Sequence, residues 1–303
     1  MVEIEGAMAA IGERSLGALA EAMATALLAT AGSAHDARRE ARELLAALHD
    51  MPRHWVAVEQ GSVVAPHEWA RALRAVARRA TGAPIQYAAG QASFRHLTLD
   101  VDERVLIPRP ETEQLVDVVL DATAGERGGI AVDVGTGSGA IALALASEGR
   151  FERVIGTDIS VDALSVAEAN RVRCAAALRT PVELRAGSLL RPVHERPLRA
   201  VVSNPPYISN SEAGDLPASV RDWEPAVALF SGADGMSTTR ALVRDASAAL
   251  GAGGLLALEV DARRASIAAE LVATHGAYEQ VRVLQDLTGR ERFVVARRRE
   301  AFG

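Results

Sequence analysis

The sequence predicts an α/β fold in which helices cover both faces of a mostly parallel sheet, with a small helical domain ahead of it and a β-hairpin connecting the two. Three observations carry this. Residues 1 to about 85 read as helix after helix, the stretch from Tyr87 to Val105 turns to short alternating runs, and beyond Arg109 short apolar runs alternate with helical stretches. The implied division is a helical domain over 1–85, a connector over 86–108 and an α/β domain over 109–303. With 303 residues and 49% hydrophobic content, the chain can bury two cores, since domains usually run to about 100–200 residues.

In the helical part, Ser15 can cap a helix to about Ala31, where Leu16, Leu19, Ala20, Met23, Leu27 and Leu28 recur at helical spacing. A second helix is expected from about Asp36 to Leu48. Pro66 suits a first helical turn, and Trp69, Leu73 and Val76 then share a face until Gly82 and Pro84 stop the helix. Such a domain serves either as a docking platform for a macromolecular substrate or as a cap. In the connector, Ala92–Phe94 and Leu97–Val101 flank a polar turn. The short apolar runs Ile130–Val134, Val154–Asp158, Val182–Arg185, Ala200–Ser203 and Leu255–Val260 are separated by helical stretches, the alternation of a mostly parallel sheet covered by helices on both faces. Val281–Gln285 and Arg292–Ala296 flank a turn at Thr288 and Gly289, which suits an antiparallel hairpin on the sheet edge.

Composition excludes several classes. A formal charge of -6 denies the chain the global basic field with which non-specific nucleic-acid binders displace counterions. All its basic residues are arginine, a bias that follows composition more than chemistry. Cys174 is the only cysteine, so neither an intramolecular disulfide nor a cysteine metal cluster can form. The seven histidines show no ligand-like spacing, and no metal is expected. The apolar stretch Leu16–Thr30 is broken by Glu21 and follows acidic Glu3 and Glu5, unlike a secretory signal. No run of about 18 apolar residues suggests a membrane span, and a cytoplasmic location is expected.

The segment Asp133, Val134, Gly135, Thr136, Gly137, Ser138, Gly139 leaves an apolar strand and enters the helical run Ala140–Ala146. Glycines admit a ligand close to the backbone, and the helix start offers unpaired N–H groups. A nucleotide-like ligand follows, either NAD or S-adenosylmethionine; the alternative is a tight turn with no ligand. Asp158 closes the next strand, where a carboxylate can accept both ribose hydroxyls, or cap the following helix. Asp133 is placed to meet the cofactor's amino group, and Ser188 and Leu189, after the third strand, to border the adenine.

Asn204, Pro205, Pro206 and Tyr207 follow the strand Ala200–Ser203 at its carboxyl end. Paired prolines fix two φ angles and remove two donors, which leaves a stiff turn presenting carbonyl oxygens. An amide or exocyclic amine nitrogen is a poor nucleophile because its lone pair is delocalised. The Asn204 side-chain oxygen and the Pro205 carbonyl can each accept one of its hydrogens and so aim that lone pair. Alignment of this kind is worth about 7–11 kcal/mol, against roughly 1 kcal/mol for each neutral hydrogen bond. Tyr207 offers a face for the planar acceptor.

The chain resembles the bacterial release-factor glutamine methyltransferases, or protein-(glutamine-N5) methyltransferases. The resemblance rests on Gly82-Ala83-Pro84-Ile85-Gln86-Tyr87 with Gly90 and Phe94, on Leu106-Ile107-Pro108-Arg109-Pro110-Glu111-Thr112-Glu113, and on the glycine loop. It continues through Asn204-Pro205-Pro206-Tyr207-Ile208, Glu224-Pro225, Gly232, Asp234-Gly235 and Asp286-Leu287-Thr288-Gly289-Arg290. It implies a Rossmann-like, seven-stranded S-adenosylmethionine-dependent methyltransferase domain behind the N-terminal helices. The implied substrate is the glutamine of the Gly-Gly-Gln tripeptide in class I peptide-chain release factors, held by Asn204 to Tyr207, with the cofactor on Gly135 to Gly139 and Asp158. Ser188 stands where the family commonly has aspartate, and Asp261 where it usually has glycine. The rival readings are a base methyltransferase acting on DNA or ribosomal RNA, which the acidic balance disfavours, a dehydrogenase, and a non-catalytic nucleotide-binding adaptor.

Overall fold

In the computed structural model of the protein, residues 15–125 and 128–300 are described; the acidic start at Glu3 and Glu5 lies outside them. The chain forms two compact units. The first runs to Ser93 and also takes in Asp100–Glu103 and Ala218–Trp223; the second holds Phe94–Leu99, Arg104–Pro217 and the chain from Glu224. This division departs from the simple succession 1–85, 86–108, 109–303. The hairpin formed by β1 (Gln91–Phe94) and β2 (Leu97–Asp100) is shared between the units, and a late segment returns to the helical one. Within that unit the Trp223 indole nitrogen lies 3.7 Å from the position a Cβ on Gly82 would take, a contact that pattern in the early sequence alone does not disclose.

The first unit is built on α1 (Leu16–Leu27), α2 (Ala34–His49) and α3 (Pro66–Ala80). Ser15 accepts from the Ala18 N–H and Ser33 from the Asp36 N–H, so each of the first two helices starts at a hydroxyl cap. Leu19, Met23, Leu27, Leu44 and Leu45 fill the core. The face of α3 differs from the one the large side chains suggest: Ala72, Ala75 and Val76 are buried, while Trp69 and Leu73 are only half-buried. Small residues let that helix approach its neighbours closely, and the larger ones flank the contact. Single-turn helices at Trp55–Val58 and Ile85–Ala89 are too short to show a period.

The second unit is one seven-stranded sheet in the order β5-β4-β3-β6-β7-β9-β8. Its strands are β3 (Ile130–Val134), β4 (Arg153–Asp158), β5 (Val182–Ala186), β6 (Leu198–Ser203), β7 (Leu250–Glu259), β8 (Tyr278–Gln285) and β9 (Glu291–Arg298). β3 to β7 pair in parallel, and β9 joins β7 and β8 antiparallel. The edge hairpin is therefore the one the sequence predicts, although β7 and β8 begin earlier than their apolar runs.

Alternation along the strands sorts side chains into two cores. Ala131, Ala200, Val202, Leu255 and Ala257 face α4 (Pro110–Thr123) and α5 (Ala140–Glu148). Val132, Val201, Leu256 and Leu258 face α7 (Ser237–Ala249) and α8 (Ala265–Thr274), while α6 (Val161–Arg173) connects β4 to β5. Along α5 every residue from Ala140 to Ser147 is buried, the mark of a helix enclosed on all sides.

Strand β4 also touches the loop after β3. A Cβ on Gly156 would lie 2.8 Å from Thr136 Oγ1 and 2.9 Å from Leu184 Cδ2, closer than carbon and its neighbours tolerate. Gly156→Ala is expected to destabilise the protein by about 1–3 kcal/mol through overpacking, read as a lower urea midpoint. An unchanged midpoint would mean that Thr136 yields freely.

Candidate active site

The order of strands reverses between β3 and β6, the two central neighbours from which the chain winds outward in opposite directions. No crossover covers the crevice at their carboxyl ends, which is where open parallel sheets hold ligands. A cavity of about 410 Å³ lies there, walled by Gly135, Gly137, Asp158, Leu189, Asn204 and Pro205 among others. Ser188 and Pro206 also line it.

The cofactor loop splits into residues that face this cavity and residues that build its floor. Gly135 and Gly137 have φ of +74° and +54°, and a Cβ on either would meet nothing within 4 Å. They are the open face. Between them Thr136 turns inward and donates to Asp133 Oδ2 at 2.6 Å, an oxygen that also accepts from the Ala142 N–H at 3.1 Å. The Ser138 carbonyl accepts from Asn170 Nδ2 at 2.9 Å, and Gly139 is the left-handed residue that starts α5. Asp133, Thr136, Ser138 and Gly139 are not among the residues that line the cavity. Asp133 is fully buried, and that burial pushes its carboxyl up to about 7 against the lowering effect of Thr136 and Ala142. It braces the loop from beneath.

Asp158 ties the glycine loop to the residue that caps the next helix, Ser160. Oδ2 accepts from the Gly137 N–H and Oδ1 from the Ser160 N–H, both at 2.9 Å. Each carboxylate oxygen has a second acceptor site, and the residue lines the cavity. Leu189 takes a left-handed φ of 52°, and its carbonyl accepts from Thr157 Oγ1 at 2.9 Å. These residues fit an adenosyl group: an open glycine face for close approach, a carboxylate at the next strand end, and apolar Ile159 and Leu189 beside it.

On the opposite wall, Asn204, Pro205 and Pro206 reach the cavity, while Tyr207 lies beyond its lining. Among the described residues, the carbonyls of Asn204, Pro205 and Pro206 accept no hydrogen bond. The turn is held from behind, where Ile208 bridges Phe230 and donates its N–H to the Leu229 carbonyl. Burial pushes the Tyr207 hydroxyl up to about 12, with Glu259 the next contribution, so the phenol stays neutral at physiological pH.

Four residues that pattern alone does not single out form two polar pairs outside the cavity lining. Arg109 pairs with the buried Glu224, and Thr112 Oγ1 donates to Glu259 Oε2 at 2.8 Å. Asn204 Nδ2 in turn donates to Thr112 Oγ1 at 3.1 Å. Glu259 is 1% exposed. Burial pushes its carboxyl up to about 7, partly offset by Thr112 and Arg292. A group raised from its ordinary 4.5 to about 7 holds its proton longer in the folded chain, so its contribution to stability is greatest below pH 4.5 and is lost as pH rises to 7. Relative to wild type, Glu259→Gln should thus gain on the order of 1–3 kcal/mol between pH 4.5 and 7.5, measured by denaturant unfolding at each pH. A difference that stays constant across that range would contradict the raised value.

No helix of the described residues is long and apolar enough to cross a membrane, and none of their His, Cys, Asp and Glu side chains form a group able to hold a metal. Residues 20–90 match the PrmC N-terminal domain, and residues 110–217 match the methyltransferase small domain. The release factor glutamine methyltransferase of Moorella thermoacetica is 40% identical over 270 residues, covering 89% of this chain and 94% of that protein. Its counterpart from Mycolicibacterium smegmatis is 40% identical over 284 residues, covering 91% and 95%. A solved methyltransferase from Pyrococcus furiosus, 18% identical, covers 78% of this chain and 99% of its own with a TM-score of 0.50, a likeness of fold. With that identity along most of its length, and with a strand-end crevice built as described, the chain belongs to the release factor glutamine methyltransferase family.

Proposed function

We propose that this enzyme methylates the side-chain amide nitrogen of the glutamine in the Gly-Gly-Gln motif of class I peptide-chain release factors, with S-adenosyl-L-methionine as methyl donor, in the cytoplasm. The observation that carries the reading is the Asn204–Pro205 turn, which faces the same cavity as Gly135, Gly137 and Asp158. The relatives' shared name supports the choice of substrate.

S-adenosyl-L-methionine, when bound, supplies an electrophilic methyl group on a sulfonium. The chain's residues position the acceptor. Asn204 Oδ1 and the Pro205 carbonyl each accept one N–H of the incoming carboxamide, which holds its nitrogen lone pair in line with that methyl. Because the prolines fix the turn, little reorganisation accompanies the reaction. Neutral Tyr207 is assigned the platform for the planar amide, and the displaced amide proton passes to water. On the cofactor side, Asp158 is assigned the ribose hydroxyls, and Ser188 and Leu189 the border of the adenine. The N-terminal helical domain, together with the connector, is assigned the docking of the release factor.

Incubation of the enzyme with cofactor and an unmethylated release factor should add a single methyl at the Gly-Gly-Gln glutamine, read by peptide mass spectrometry. Label appearing instead on ribosomal RNA or DNA would overturn the assignment. Asn204→Ala should lower kcat by about 10²–10³, the usual cost of removing one preorganised hydrogen-bonding group, with cofactor affinity preserved in calorimetry. Asp158→Ala should reverse that pattern, weakening cofactor binding roughly tenfold or more, since a hydrogen bond to a charged group is worth about 1.5–3 kcal/mol. Equal effects of both variants on cofactor affinity would refute the separation of roles.

A further inference from the structure

A carboxamide is nearly symmetric in shape, yet only its oxygen can accept an N–H. Asn204 can serve the proposed acceptor only if Oδ1, and not Nδ2, faces the cavity. What fixes that choice lies behind it. Glu259 ends β7 beside the strand that leads into Asn204, since Ser203 pairs with Leu258. Thr112 belongs to the first turn of α4 and is 5% exposed.

We infer that Glu259 and Thr112 form a hydrogen-bond relay that sets the polarity of the Asn204 carboxamide and so makes Thr112 and Glu259 positioning residues for the reaction. This deepens the functional proposal above and rests on it. A threonine hydroxyl has one proton to give. At 2.8 Å that proton is directed to Glu259 Oε2, which accepts it either as an oxygen of the ionised carboxylate or as the carbonyl oxygen of the protonated acid. The lone pairs of Thr112 Oγ1 must then receive a donor, and the only donor on the Asn204 side chain is Nδ2, which stands 3.1 Å away. With Nδ2 committed backward, Oδ1 is turned the other way, and Asn204 lines the cavity. A carboxamide flipped end for end would set two acceptors against each other at Thr112 and present a donor to the substrate amide. The direction of the chain from Glu259 through Thr112 is thus the direction in which Asn204 can accept.

Thr112→Val keeps the shape and removes the hydroxyl. It is expected to lower kcat on a release factor roughly ten- to a hundredfold, as misplacement of an aligning group does, while the affinities for S-adenosyl-L-methionine and for the release factor stay close to wild type. Thr112→Ser, which retains the hydroxyl, should restore most of that loss. Glu259→Gln, whose side chain can accept or donate, should give an intermediate kcat and is the second arm should Thr112→Val not fold. Nuclear magnetic resonance supplies a readout independent of substrate, because Asn204 is one of only three asparagines in the chain, with Asn170 and Asn210. With asparagine labelled, the Asn204 side-chain amide protons should exchange slowly with solvent in wild type and rapidly in Thr112→Val. A Thr112→Val enzyme with wild-type kcat, an equal loss in Thr112→Ser, or unchanged amide exchange overturns the relay. If wild type leaves the release factor unlabelled, it is the substrate reading that falls, and the amide exchange alone then decides the relay.

Discussion

The reversal of strand order between β3 and β6 is the constraint on which the rest of the second unit depends. Helices connected to parallel strands cover the faces of a sheet, not the ends of its strands, and two strands that send their connections in opposite directions leave a gap above their tips. Each functional side chain of the crevice hangs from such a tip: the glycine loop after β3, Asp158 at the close of β4, Asn204 after β6 and Glu259 at the end of β7. The strands themselves are buried on both faces and rigid, so these groups inherit fixed positions from a hydrophobic core that takes no part in the chemistry.

The crevice divides its polar groups by depth. Asp133 and Glu259, both buried, each serve as an anchor for something nearer the surface: Asp133 for the loop that carries Gly135 and Gly137, Glu259 for Thr112 and thereby Asn204. Carboxylates in such places are costly to desolvate unless they are met by donors. Their burial is compensated only in part, as the upward displacement of both carboxyls attests. Nearer the ligand space stand glycine backbone, paired prolines, the Asp158 carboxylate, the Asn204 carboxamide and apolar Ile159 and Leu189.

Much of this was legible in the sequence, and the rest was hidden for identifiable reasons. Strands enclosed on both faces betray themselves as apolar runs, so the sequence pattern places β3, β4 and β6 close to their true bounds, while β8 at the edge starts three residues before its apolar run. Helical faces built from alanine carry little contrast, and in α3 the large Trp69 and Leu73 mask the buried side formed by Ala72, Ala75 and Val76. In the glycine loop the motif is contiguous while its exposure to the cavity alternates. The backbone there turns alternate residues in opposite directions, so Gly135 and Gly137 meet the cavity while Thr136 and Ser138 do not. The Thr112 link joins partners 92 and 147 residues apart in the chain, a distance over which periodicity is silent. Resemblance drew attention to the loop from Pro108 to Glu113, but not to what its threonine touches.

The return of Ala218–Trp223 to the helical unit bears on how the protein can be taken apart. The polypeptide passes between its two units at residues 93–94, 99–100, 103–104, 217–218 and 223–224. A fragment ending at Ser93 would omit the tryptophan that lies against Gly82, and its complement would carry that tryptophan without Gly82. No single cut yields two intact modules, so the halves are to be studied, inherited and engineered as one piece.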